Sequence, residues 1–144
     1  MIAVDTNILV YAHRRDSPWF QRAYACVQGL AEGRDPWAIP WPSVHEFFGI
    51  VTHARIYSPP SPMANALDQI DAWMESPSLV LIAETEHYWQ RLQALLRSAR
   101  AAGAKVHDAR IAALCLDHGI TELWTADRDF SRFAGLKLRN PLIG

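Results

Sequence analysis

Four carboxylates, Asp5, Glu46, Asp108 and Asp127, are the residues of this sequence best placed to do chemistry together. Asp5 follows the apolar run Met1-Ile2-Ala3-Val4 directly, and Asp127 follows Leu123-Trp124-Thr125-Ala126. Asp108 stands at the start of an apolar helical pattern, and Glu46 is expected in the first turn of a helix that follows Ile39-Pro40. Helix capping would account for any one of them, because Asp at an N-cap and Glu in a first turn satisfy free backbone donors. It accounts less well for all four. Like charges gathered at one place raise each other's pKa and cost stability unless a cation neutralises them. A donor set made only of carboxylate oxygens favours Mg²⁺, with Mn²⁺ as a substitute, over zinc or copper. The histidines offer no rival site: His45-Glu46 begins like H-E-x-x-H, but Gly49 stands where the second histidine is needed. Cys26 and Cys115 form no C-x-x-C pair and read as buried, reduced thiols.

Residues so far apart meet only if the fold carries them to one edge. Short apolar runs at Met1–Val4, Trp37–Pro40, Leu79–Ile82, Glu122–Thr125 and Leu136–Leu138 predict strands. Between them lie helical patterns: one after Asp5-Thr6-Asn7, one from Ser17-Pro18 to Gly33, one capped by Ser43, then Met63–Glu75, Thr85–Ala102 and Asp108–His118. Ser58-Pro59-Pro60-Ser61-Pro62 can only be a connector, since consecutive prolines remove backbone donors. Strands alternating with helices predict an α/β fold with a short parallel central sheet flanked by helices on both faces. Ligands of such folds sit beyond the carboxyl ends of the strands, where Asp5 and Asp127 would lie. A length of 144 residues allows one core, so residues 1–144 are expected to form a single domain.

Half of the residues are hydrophobic and a fifth charged, which excludes a disordered chain. No apolar run approaches the roughly 20 residues of a membrane span, and no basic segment precedes the first strand, so a cytoplasmic protein is expected. The net charge of −1 supplies no global basic field, so any contact with nucleic acid must be local or made through a metal. Arg14, Arg15, Arg128 and Arg132 are the arginines expected near the acidic edge, and each could equally be a solvated surface residue. Trp19, Phe20, Trp37, Trp41, Phe47 and Phe48 crowd the first half of the chain. Most should be core, with the remainder available as a groove for an amphipathic helix.

With its acids in this setting, the sequence resembles the PIN-domain nucleases, and most closely the VapC-type toxins of type II toxin–antitoxin systems. The likeness rests on Val4-Asp5-Thr6-Asn7, Ser43-Val44-His45-Glu46, Val106-His107-Asp108-Ala109 and Thr125-Ala126-Asp127-Arg128-Asp129-Phe130, in that order along nearly the whole chain. It implies that Asp5, Glu46, Asp108 and Asp127 form a metal-binding acidic site, with Asp5 and Asp108 as direct ligands and Asp129 as a further acid. It implies that Thr6, Asn7 and Thr125 support the site by hydrogen bonds. The activity implied is Mg²⁺-dependent endoribonuclease action on single-stranded or looped RNA, by hydrolysis at a carboxylate-bound metal. A homodimer and a small antitoxin that covers the site are implied as partners.

Three other readings compete. A haloacid-dehalogenase-like phosphatase also places an aspartate after its first strand, but wants a second acid where Asn7 stands. A non-enzymatic receiver module also gathers acids around Mg²⁺, but needs no Asp127 in a T-A-D-R-D-F string and wants a lysine after its last strands. A PIN scaffold kept only for binding would not need all four acids.

Overall fold

Alternate residues of each strand feed two separate cores, as the two-residue period of a pleated strand requires. The computed structural model describes residues 1–144. Its strands are β1 (Ile2–Val4), β2 (Trp37–Pro40), β3 (Leu79–Ile82), β4 (Glu122–Trp124) and β5 (Lys137–Arg139). All pair in parallel, in the order β3-β2-β1-β4-β5. Val4, Trp37, Ile39 and Trp124 face one core, and Ala3, Ala38, Ile82 and Leu123 face the other.

The first core is closed by α1 (Thr6–His13), α2 (Phe20–Glu32), α3 (Trp41–Val51) and α4 (Met63–Met74). The second is closed by α5 (Tyr88–Ala99), α6 (Lys105–Asp117) and residues Phe130 and Phe133 in and after a short 3-10 helix, Arg128–Arg132. One parallel sheet with helices on both faces is therefore present. Its chain order reverses between β1 and β4, and that switch point is where the acids are sought.

Several helix boundaries differ from expectation. Helix α3 begins at Trp41, with Pro40 as its N-cap and Pro42 in its first turn, because proline's fixed φ suits a first turn that lacks partners for its N–H groups anyway. Ser43 is therefore not a cap; it lies inside the first turn, fully buried, its hydroxyl without a partner. Glu46 accordingly falls in the second turn of α3 rather than the first. Helix α6 starts at Lys105, so Asp108 is a first-turn residue and not the cap. Ser17 still contributes, accepting the Trp19 N–H at 3.1 Å, but α2 begins only at Phe20. Of the crowded aromatics, Trp37 and Phe47 are wholly buried while Trp19 is exposed. No helix is long and apolar enough to cross a membrane.

Candidate functional site

Parallel pairing of Val4 with Trp124 sets the ends of β1 and β4 side by side, and the Asp5 N–H extends the ladder to the Trp124 carbonyl at 3.0 Å. Asp5 and Thr125 thus emerge together at the carboxyl edge of the sheet. Asp5 is the N-cap of α1, and its Oδ1 accepts the Thr6 N–H at 2.8 Å. Capping and site formation are here two duties of one carboxylate. Its Oδ2 accepts from the Thr125 hydroxyl at 2.8 Å and from the Asn7 amide at 3.3 Å. The Thr6 hydroxyl donates to Glu46 Oε2 at 2.8 Å, which ties α1 to α3 across the site. Asn7 Oδ1 accepts the Ala126 N–H at 3.1 Å, and Thr125 Oγ1 accepts the Asp127 N–H at 3.0 Å. Thr6, Asn7 and Thr125 thus all hydrogen-bond to Asp5 or Glu46.

The remaining acids lie near enough to feel one another's charge. Asp5 is 4 % exposed, and burial pushes its pKa up to about 7 even though Thr125 and Thr6 donate to it; the charges of Glu46 and Asp108 push the same way. Burial also raises the pKa of Asp108, helped by Asp127, Asp129 and Glu46, with Lys105 opposing. All four predicted acids thus gather at one edge.

Asp129 behaves differently. Its carboxylate accepts from Lys105 Nζ at 2.5 Å, and that ammonium holds its pKa below the usual carboxylate range. Lys105 is the residue that sequence reasoning missed. Its only signal was a lysine one helical turn before Asp108, which looks the same as any solvated lysine.

Two of the four arginines are misplaced by the sequence reading. Arg14 and Arg15 lie beyond the last turn of α1, about 14 Å along its axis from Asp5. Arg14 is held there by Asp16 at 2.6 Å and lies over the Tyr57 ring. Arg128 and Arg132 are exposed on the 3-10 helix that Asp127 caps, at the acidic edge. His13 is half-buried between Gln69 at 3.1 Å and Ser61 at 3.0 Å.

In this conformation no three Asp, Glu, His or Cys side chains share a single coordination sphere. Asp5 and Glu46 are occupied by hydroxyl and amide donors and Asp129 by Lys105.

Comparison with known proteins places the fold in a family. The PIN domain family matches residues 2–136. A VapC ribonuclease of Mycobacterium bovis is 33% identical over 144 residues, covering 100% of this chain and 97% of its own. Among solved structures, VapBC2 of Rickettsia felis bound to a promoter DNA fragment superposes with a TM-score of 0.68 at 22% identity, over 96% of this chain and 98% of that one. VapC20 of Mycobacterium tuberculosis, a sarcin-ricin loop cleaving toxin, superposes with a TM-score of 0.67 at 16% identity, over 94% and 98%. The chain belongs to the PIN-domain family and, within it, to the VapC ribonucleases.

Proposed function

We propose that this protein is the toxin of a toxin–antitoxin pair, an endoribonuclease that hydrolyses RNA with Mg²⁺, or Mn²⁺ in its place, at the acidic edge. The observation that carries the reading is the buried Asp5 carboxylate among Glu46, Asp108 and Asp127, with its pKa raised to about 7. A cluster so costly to ionise fits a divalent cation. Mg²⁺ keeps several waters and takes only one or two carboxylates together with substrate phosphate, so the spread of the acids suits it.

Asp5 and Asp108 are the direct ligands in this reading, and Glu46 and Asp127 complete the negative field. Thr125 and Thr6 fix the direction of the Asp5 and Glu46 oxygens, as supporting partners of a metal site do. The ion would supply an activated water and a clamp on the scissile phosphate. Arg128 and Arg132 lie where they can meet neighbouring phosphates. Asn7 is spent on structural ties to Thr125 and Ala126, so the phosphatase reading lacks its second acid.

The partner in this reading is a cognate antitoxin, as in the VapBC complexes that share the fold. It acts by inserting a basic side chain among the acids, competing with the ion, so inhibition should weaken as Mg²⁺ rises. A homodimer acting in the cytoplasm completes the proposal. The test is to incubate purified protein with total RNA, with and without Mg²⁺, and map new ends. Intact RNA in the presence of Mg²⁺ and Mn²⁺ would overturn the reading.

A further inference from the structure

Beside the acidic edge, at the carboxyl ends of β4 and β5, lies a second and chemically different depression. It has a volume of about 310 Å³ and shares Thr125 and Asp127 with the acidic site. Small-molecule sites run from roughly 300 to 1,000 Å³, so this one holds a single small ring system rather than a longer segment.

Its far wall is the turn that follows β5. Leu142 is buried in the first core, Asn140 Oδ1 accepts the Leu142 N–H at 3.0 Å, and Arg22 donates to the Pro141 carbonyl at 3.1 Å. That turn is held in place from three sides. It presents Ile143, 54 % exposed, together with Leu138 as an apolar surface. Asn140 Oδ1 is committed to Leu142, and its amide NH₂, which can only donate, has no protein acceptor. Ser131 adds a hydroxyl, and Arg128, which has no ion-pair partner, stands on the rim.

We propose that this pocket receives the base of one nucleotide flanking the bond that is cut, and that Asn140 and Ser131 read its edge. The proposal rests on the ribonuclease reading above and adds the specificity subsite to it. Bases taken out of a stack are held between apolar or aromatic side chains and read by hydrogen bonds along their edges, which is the combination on these walls. The Asp127 carboxylate repels a bare anion but tolerates a neutral base. Arg128 is left for the phosphate that the base carries. A donor-only amide selects a base edge that offers an acceptor and disfavours one that offers an amino group.

The test uses the full chain and a pool of randomised single-stranded RNA in Mg²⁺ buffer, with sequencing of the new ends. The parent protein should show a base preference at one position beside the cut. Asn140→Asp keeps the oxygen that binds the Leu142 N–H and removes the donor, so it should shift that preference by roughly three- to tenfold at the same position only, the worth of one hydrogen bond. Ser131→Ala should shift it less, and both changes should appear in KM more than in kcat. Melting curves establish that the variants fold.

Identical base frequencies in parent and variants overturn the subsite while the ribonuclease reading stands. A parent that cleaves no RNA overturns both. Unchanged frequencies with weakened hold on a co-expressed antitoxin would assign the pocket to that protein instead, and also overturn the proposal.

Discussion

The acidic edge has an inner half and an outer half, and they are built on different principles. In the inner half Asp5 and Glu46 are fixed by neutral donors: the Thr6 and Thr125 hydroxyls, the Asn7 amide and a backbone N–H. In the outer half Asp129 is held by a charge, Lys105, in an exposed ion pair between α6 and the 3-10 helix. Neutral hydrogen bonds in a buried place fix direction and are insensitive to salt, whereas an exposed ion pair is screened and adjustable. The difference teaches that the position of Asp5 is set by folding and that of Asp129 by solution conditions.

The sharpest way to break this contrast is Asp5→Asn. We expect RNA cleavage to fall more than about a hundredfold, beyond what loss of a supporting partner costs, with the fold intact by circular dichroism. The same variant should change how stability depends on pH. Asp5 holds its proton more tightly folded than unfolded, so its favourable contribution is fully present below the unfolded value of 3.8 and is lost as pH climbs through about 7. The loss amounts to roughly 1.4 kcal/mol for each unit by which the pKa is raised. Urea midpoints of metal-free protein at pH 5 and pH 8 should therefore differ more in the parent than in Asp5→Asn. Equal differences would show that Asp5 titrates as an ordinary surface acid.

Thr125→Val tests the inner half through its donor. It removes the hydroxyl that Asp5, Asn7 and Asp127 share, and should lower cleavage or Mg²⁺ affinity roughly 10- to 100-fold. Thr125→Ser, which keeps the hydroxyl, should restore most of the loss, and calorimetric Mg²⁺ titration separates affinity from rate. The smallest effect belongs to the outer half. Lys105→Gln should change cleavage by less than about fivefold, since exposed ion pairs contribute under roughly 1 kcal/mol, and the change should vanish in high salt. A larger, salt-independent effect would mean that Lys105 meets the substrate itself.

The inner half was also the more legible in the sequence. Asp5 and Thr125 follow apolar runs of strand length, and parallel strands put such residues at a common edge, so their meeting follows from local pattern and topology alone. The five strands follow for the same reason, each being a short apolar run between helix signals. Helix starts were less legible. Ser43 has the chemistry of a cap, yet the prolines at 40 and 42 start α3 earlier and leave its hydroxyl inside the protein. Asp108 looked like a cap for the same reason and lies one turn in. The Lys105–Asp129 pair was invisible, because it joins two side chains 24 residues apart through a docking of α6 on the 3-10 helix that no local spacing encodes. Likewise, Arg14 and Arg15 were expected near the acidic edge, whereas a helix of eight residues carries them away from Asp5 to its other end.

The hydrogen bond from Thr125 to Asp5 spans 120 positions of the chain. Its consequence is one of timing during synthesis. While the chain emerges from the ribosome, Asp5 leaves first but has neither β4 beside it nor the hydroxyl that orients it until residue 125 has also cleared the exit tunnel. Asp108 emerges 17 residues before Thr125, and Asp127 only after it. Until then the nascent protein holds no assembled acid cluster at that edge.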